Sequence, residues 1–253
     1  MPRPSTPALE RLDNILYTQG FGTRRLCAGL IERGLVQVQG RPCTDQAALF
    51  PPEGLPITVQ GQPWQCHPRA YLMLNKPAGY ECSQRPSAWP GIYTLLPAPL
   101  RQRPGPGKTP GVQAIGRLDQ DTTGLLLLSD DGAFIHRMNA PRQHIPKVYQ
   151  VTCAHPVTPE QMQRLLDGVT LHDDPRPVRA AACQPGPQAH TLALTLTEGK
   201  YHQVKRMLAA VGNRVTALHR SHIGRLPLPP DLPPGHWRWL TPQDLAQLQP
   251  LPA

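Results

Sequence analysis

The sequence lacks long apolar runs. No stretch of about 18 consecutive apolar residues occurs among the 253 residues, so we expect no membrane-spanning helix. The N-terminus has no apolar segment of the kind that signal peptides carry. We therefore expect a soluble, cytoplasmic protein.

Metal and redox motifs are also missing. The six cysteines contain no C-x-x-C pair, which speaks against a zinc site or a redox motif and favours reduced, buried thiols. His219 and His222 are three residues apart, but no carboxylate or third ligand lies near them in the sequence. No nucleotide-binding motif occurs either. We expect neither a metal nor a cofactor.

Positive charge is in excess. There are 26 Lys and Arg residues against 17 Asp and Glu residues, a formal net charge of +9, which indicates a polyanionic partner. The length is enough for a sizeable core and allows one large domain or a small domain followed by a larger one. The patterns below favour two domains.

The N-terminal region predicts two helices followed by a short strand. An apolar stripe at helical spacing begins at Leu9, Thr23 is placed to cap a second helix, and Val36 and Val38 alternate with polar residues. Three arginines lie off the apolar stripe of the second helix: Arg24, Arg25 and Arg33. On their own they are typical of an ordinary solvated face.

The most informative stretch runs from residue 116 to residue 132. Arg117 and Asp119 are followed by a turn rich in Thr and Gly, then by the apolar run Leu125 to Leu128. The pattern predicts a carboxylate at the mouth of a buried strand. In an extended chain Arg117 and Asp119 would share a face, and the guanidinium would keep the carboxylate ionised, as a nucleophile requires. The alternative is a turn in which the carboxylates satisfy local backbone donors.

Other segments complete the pattern. Strands are predicted from Tyr71 to the break at Pro77, around Tyr149, and from residue 191 to 197. A tyrosine on a strand most often packs in the core. Lys205 and Arg206 lie off the apolar stripe of a late helix, and a solvated basic face is the plain interpretation. The Pro- and Gly-rich residues 97–111 and 174–188 predict loops, the first of them basic.

Five strings resemble one family. G-R-L-D-Q-D-T-T-G is similar to the signature of the pseudouridine synthases of the ribosomal small-subunit type. L-N-K-P-A-G-Y, K-V-Y-Q-V, E-G-K-Y-H-Q-V-K-R-M and L-H-R-S-H-I-G resemble its other motifs. The two N-terminal helices and R-G-L-V-Q-V-Q-G resemble the small RNA-binding module named after ribosomal protein S4.

The resemblance implies an α+β fold. We expect an S4-like RNA-binding domain at residues 9–66 and a pseudouridine synthase catalytic domain at residues 70–248, built on a mixed, mainly antiparallel sheet. It also implies catalytic roles. Asp119 would be the nucleophile, Tyr149 would pack on the target base, and Lys205 would hold the charge of Asp119. Arg117 would pair with Asp119 and fill the space that the base leaves. The residues expected to bind RNA are Arg24, Arg25, Arg33, Lys76, Arg206 and Arg220.

The implied reaction turns a uridine of ribosomal RNA into its C-linked isomer, which involves no redox change and calls for no cofactor. The motifs look most like those of the members that modify uridine 516 of 16S rRNA, although 23S-directed members share most of them. Free rRNA and a ribosome assembly intermediate both remain open as substrate, and we expect a monomer. A non-catalytic RNA-binding protein is one alternative. A glycoside hydrolase using Asp119 and Asp121 is another, but carboxylates two residues apart leave no clear room for opposed roles.

Overall fold

The computed structural model describes residues 8–105, 111–172 and 174–249. The chain forms two compact units. The first unit contains the described residues up to Tyr71 together with Leu96–Gln113 and Leu128–Gly132. The second contains Leu72–Leu95, Ala114–Leu127 and the described residues from Ala133 onward. Within these described ranges, no helix is long and apolar enough to cross a membrane.

Short strands and helices alternate along the chain. As far as residue 65 they are β1 (Glu10–Arg11), α1 (Leu12–Gln19), α2 (Arg24–Glu32), β2 (Val36–Val38), β3 (Arg41–Pro42), β4 (Leu49–Phe50), β5 (Pro56–Val59) and β6 (Gln62–Gln65). Then come β7 (Tyr71–Lys76), a 3-10 helix (Ile92–Leu95), α3 (Ala98–Gln102), β8 (Gln113–Ile115), β9 (Thr123–Ser129), α4 (Gly132–Asn139), a second 3-10 helix (Pro141–Gln143) and β10 (Lys147–Cys153). The last are α5 (Pro159–Asp167), β11 (Val169–Leu171), β12 (Asp174–Val178), β13 (Ala182–Pro185), β14 (Thr191–Leu196), α6 (Gln203–Ala210), β15 (Val215–Ile223), β16 (Leu226–Pro227), β17 (Trp237–Trp239) and α7 (Pro242–Ala246).

The helix pair and small sheet of the first unit follow the sequence pattern. Leu12, Ile15 and Leu16 are fully buried, although Leu9 precedes α1 and is exposed. Thr23 caps α2, because its hydroxyl accepts a hydrogen bond from the backbone N–H of Leu26. The sheet has the order β3-β2-β5-β6 with antiparallel neighbours. The predicted helix, helix and strand are therefore confirmed.

The prediction of a surface loop at residues 97–111 is wrong in its described part. Residues 98–102 form α3, and Leu100 and Arg103 are fully buried in the first unit. The Arg103 guanidinium donates hydrogen bonds to Asp130 Oδ2 at 2.6 Å and to Gln19 Oε1 at 3.0 Å. An arginine in a Pro-rich segment usually indicates an exposed loop, but a distant carboxylate holds this one inside. Lys108 lies outside the described residues.

The second unit is built on a mixed sheet. Its order is β13-β14-β10-β15-β9-β7-β17, with β16 beside β15 and β8 beside β9. The pairs β13–β14, β14–β10, β10–β15 and β17–β7 are antiparallel, whereas β15 and β9 are parallel. The expected mixed, mainly antiparallel sheet of an α+β fold is confirmed. The loop predicted for residues 174–188 is wrong, because β12 and β13 form there.

The centre of this sheet positions the candidate site. Leu125 to Leu128 in β9 are fully buried, which confirms the strand predicted behind Asp119. Gly124 pairs with Arg220 of β15 and has a φ of 105°. A Cβ atom at residue 124 would lie 2.3 Å from the carbonyl oxygen of Arg220. Only glycine permits this close approach of the two strands without strain.

Candidate active site

One cavity of about 640 Å³ gathers five of the predicted site residues. It lies in the second unit and is lined by the loop before β9, the start of β10, the segment before α6 and part of β15. The predicted residues that it brings together are Arg117, Asp119, Tyr149, Lys205 and Arg220. These residues are spread over more than one hundred positions of the sequence, so the cavity is a product of the sheet order.

The loop that carries Asp119 is held by Lys76. The Lys76 ammonium donates hydrogen bonds to the backbone oxygens of Asp119 (2.9 Å), Thr122 (2.8 Å), Pro77 (3.0 Å) and Gln120 (3.3 Å). The side chain is fully buried, and burial lowers the pKa of Lys76. The structure therefore corrects the expectation that Lys76 binds RNA, because loop carbonyls already occupy its donors.

The Asp119 carboxylate lies between two basic side chains. Lys205 Nζ is 3.3 Å from Asp119 Oδ2, and His202 Nε2 is 3.3 Å from Asp119 Oδ1. The Asp119 side chain is 28% exposed, so a substrate in the cavity can reach it. This arrangement favours an ionised carboxylate that faces the cavity.

Lys205 also contacts a second carboxylate, which the sequence analysis did not foresee. Its Nζ lies 2.7 and 2.9 Å from the two Asp121 oxygens. Burial lowers the pKa of Lys205, but the Asp121 hydrogen bond and the charges of Asp119 and Asp121 outweigh it, so the pKa is raised. Burial raises the pKa of Asp121, and the Lys205 contact outweighs it, so that pKa is lowered. Lys205 is therefore a cation shared by two carboxylates.

Arg117 does not form the expected pair with Asp119. In the part of the chain that the structure describes, the ion-pair partners of Asp119 are Lys205 and His202. Arg117 is exposed, and residues 116–122 form a turn in place of an extended strand, so side chains two residues apart do not share a face. The turn alternative holds for the backbone, because the N–H of Thr122 donates to the Asp119 carbonyl oxygen.

His202 is the site residue that sequence reasoning missed. It precedes α6 with a left-handed backbone (φ 48°), which is uncommon outside glycine and turns its ring towards Asp119. Its ring stacks on Tyr201 with centroids 3.8 Å apart. Tyr201 is 74% exposed at the rim of the cavity. The available signal was its place within E-G-K-Y-H-Q-V-K-R-M, three residues before Lys205.

Tyr149 and Arg220 form the deep wall of the cavity. They are Cα partners on β10 and β15, so their side chains share one face of the sheet. Tyr149 is 9% exposed and Arg220 is 2% exposed. The Arg220 Nε donates a hydrogen bond to the carbonyl oxygen of Leu125 at 2.8 Å. Arg220 thus lies inside the cavity wall and not on an outer surface, where a contact with the RNA backbone was expected.

The other predicted RNA-binding residues lie at the surface. In the first unit the exposed residues are Arg24, Arg25 and Arg33. Arg24 lies over the ring of Tyr17 at 4.2 Å and donates to Asn14 Oδ1. In the second unit Arg206 is half-buried and donates to the carbonyl oxygen of Tyr201. The guanidinium groups of α2 remain accessible to a phosphate.

The fold and site agree with comparisons against known proteins. Residues 70–210 match the family described as RNA pseudouridylate synthase, and residues 10–52 match the S4 domain. A protein of Yersinia pestis named ribosomal small subunit pseudouridine synthase A is 39% identical over 94% of this chain and 97% of its own length. The protein of that name from Escherichia coli K12 is 39% identical over 94% of this chain and 99% of its own.

Two further comparisons agree. The RNA pseudouridine synthase YtzG of Bacillus subtilis is 37% identical over 93% of this chain and 96% of its own length. A solved structure described as pseudouridylate synthase superposes with a TM-score of 0.65 at 34% identity, covering 94% of this chain and 99% of the other. The chain belongs to the RNA pseudouridylate synthase family. It is an isomerase with an S4 domain, and the glycoside hydrolase and non-catalytic alternatives are set aside.

Proposed function

We propose that the enzyme converts uridine 516 of 16S rRNA into pseudouridine and that Asp119 is its nucleophile. The observation that carries the proposal is the Asp119 carboxylate, held by Lys205 and His202 at the edge of a cavity large enough for a nucleotide. The small-subunit target is supported by the names of the Yersinia pestis and Escherichia coli relatives. The similar identity of YtzG, whose name gives no rRNA target, makes the target the part most in need of a test.

The chemistry requires a flipped base and a cavity to hold it. The target uridine must leave its stack before C1′ can be reached, and Tyr149 offers an aromatic platform inside the cavity. Three first steps are open for Asp119: attack on the sugar, attack on the base, or abstraction of a proton from the ribose. Each of them needs an ionised carboxylate, which Lys205 favours from 3.3 Å.

RNA binding is expected at both units. The exposed guanidinium groups of Arg24, Arg25 and Arg33 and the net charge of +9 suit phosphate contacts, which position RNA without reading its sequence. We propose that the enzyme acts as a monomer in the cytoplasm, on free 16S rRNA or on a small-subunit assembly intermediate. Sedimentation analysis of the protein alone checks the monomer.

Tritium release tests the reaction. Uridine labelled at C5 loses its label when C5 becomes the attachment point, so release from 16S and from 23S rRNA is measured separately. Asp119→Asn removes the charge at constant size and should abolish release, while Asp167→Asn, an exposed and remote carboxamide change, should leave it unaltered. We expect release from 16S rRNA only, mapped to uridine 516.

Each other result has a defined meaning. Release from 23S rRNA alone would overturn the target but keep the reaction. Normal release by Asp119→Asn would overturn the nucleophile. The comparison of naked 16S rRNA with partly assembled small-subunit particles then shows which form is the better substrate.

A further inference from the structure

Arg220 has hydrogen-bonding capacity that the protein does not use. Its one hydrogen bond to the described residues runs from Nε to the carbonyl oxygen of Leu125. Its Nη2 atom is buried and makes no hydrogen bond to any of those residues. A buried donor without a partner costs about 1–3 kcal/mol, and more for a charged group, so a ligand that supplies an acceptor would recover that free energy.

Lys147 is a second cation on the same wall without a carboxylate. It is half-buried, and its Nζ donates to the carbonyl oxygen of Ile145 at 3.2 Å. Burial and the charge of Arg220 lower the pKa of Lys147 to about 8. Throughout the described ranges of the chain, neither Lys147 nor Arg220 lies within ion-pair distance of a carboxylate. Two positive charges therefore face one cavity with no counter-charge of their own.

The sheet register places both cations beside Tyr149. Arg220 is the Cα partner of Tyr149 across β10 and β15, and Lys147 precedes Tyr149 by two residues on the same strand. Side chains two residues apart on a strand point to the same face. All three residues line the cavity, together with Asp119. A base packed on Tyr149 would therefore meet Arg220 and Lys147 at its edge.

The depth of this pair favours a base over a phosphate. Arg220 is nearly inaccessible, whereas the side chains of Asp119 and Lys205 are more than one quarter exposed. A phosphate of the RNA backbone stays near the mouth of the cavity, and the flipped base enters deepest. Uracil presents two carbonyl oxygens, O2 and O4, which accept hydrogen bonds from such donors.

The reaction makes a negative charge at this position. When the C1′–N1 bond breaks, its electron pair leaves with the base, and uracil becomes an anion with charge spread over N1, O2 and O4. The same electrons form the new C1′–C5 bond after the base has turned, and the C5 proton is released to solvent. Fixed donors aimed at a charge that develops in the transition state accelerate such steps strongly.

We propose that Arg220 and Lys147 form a subsite for the uracil ring, which binds its carbonyl oxygens and stabilises the base while it is detached. The proposal rests on the proposed function, since it requires that a uridine is isomerised in this cavity. It gives Arg220 a contact with the base in place of the RNA backbone.

Binding without turnover separates a base contact from a phosphate contact. In the Asp119→Asn background, two fragments of the rRNA that releases tritium are compared, one with uridine and one with an abasic ribose at the target. We expect the uridine fragment to bind more tightly and Lys147→Met to reduce that preference about tenfold, with abasic binding unchanged. Lys147→Arg should keep most of the preference, and the exposed Arg225→Met should keep all of it.

Single-turnover rates test the charge. With Asp119 restored, Lys147→Met should slow cleavage of the C1′–N1 bond by about 100-fold for uridine. The loss should be smaller for 5-fluorouridine, whose base is the more stable anion. Arg220→Met should behave in the same way wherever circular dichroism shows a native fold, and Lys147→Met keeps the test decisive if it does not.

The outcomes are distinct. Equal weakening of the uridine and abasic fragments would replace the subsite by a phosphate contact, and unchanged preference in both variants would make the pair purely structural. Equal rate losses for uridine and 5-fluorouridine would refute charge stabilisation. If no rRNA releases tritium with the wild-type enzyme, the proposed function and this subsite fall together.

Discussion

The buried Arg103–Asp130 pair gives the sharpest stability prediction. Arg103 Nε lies 2.6 Å from Asp130 Oδ2, with both side chains at most 4% exposed. The guanidinium also donates to Gln19 Oε1 and to the backbone oxygen of His67, while Asp130 Oδ1 accepts from the N–H of Ala70. Arg103→Met removes the cation and leaves the Asp130 charge buried in the first unit.

The magnitude follows from this burial. Removing one partner of a buried, hydrogen-bonded ion pair costs about 3–5 kcal/mol, because the remaining charge has neither water nor a counter-ion. For a chain of about 250 residues each kcal/mol lowers Tm by about 2–4 °C, so we expect a fall of about 6–20 °C. Changing both Arg103 and Asp130, to Met and Asn, should cost less than the sum of the two single changes.

Urea unfolding followed by circular dichroism measures the free energy. Hydrogen exchange detected by mass spectrometry then locates the loss, which should be greatest in α1, residues 67–71 and α3. Two units need not unfold together, so the transition that includes these segments is the relevant one. Arg101→Met is the matched control, because Arg101 is exposed on the same helix. A cost below about 1 kcal/mol, or one equal to that of Arg101→Met, would refute the reasoning.

Three further predictions concern the second unit. Gly124→Ala should destabilise the enzyme by at least about 3 kcal/mol in urea unfolding, since its Cβ would meet the Arg220 carbonyl oxygen; an unchanged midpoint would contradict this. Lys76→Met should lower the tritium-release kcat at least tenfold with little change in RNA affinity, because the site loop loses its clamp, whereas a pure affinity loss would restore an RNA-binding role. The Arg238 hydrogen bond lowers the pKa of Asp244 below 3.8, so wild type should be more stable than Asp244→Asn above that pH and lose the advantage as pH falls below it; a constant difference in urea midpoints from pH 7 to pH 3 would contradict this.

Local pattern was sufficient for much of this fold. The buried run Leu125 to Leu128, the alternation in β14 and the apolar stripe of α6 each depend on neighbours a few residues away, and each lies where its pattern predicts. Motif resemblance identified the family. It also selected Asp119, Tyr149 and Lys205, which line one cavity.

Other features depend on pairings that no local pattern can show. Lys76 and Arg103 are charged residues that sequence reasoning assigns to the surface, yet distant carbonyls and a carboxylate bury them. The shorter partner of Lys205, Asp121, lies 84 residues away along the chain. Arg117 was predicted from the geometry of an extended strand, and the turn that replaces the strand sends it elsewhere.

Side-chain character and short-range spacing were therefore enough to establish most of the elements, the family and the chemical types of the site residues. Which charges meet depends instead on the folded sheet. The parallel pairing of β9 with β15 and the antiparallel pairing of β15 with β10 bring Asp119, Tyr149 and Arg220 to one cavity. Strand order is set by the packing of the whole sheet, so charges that are remote in sequence become neighbours only after the sheet has formed.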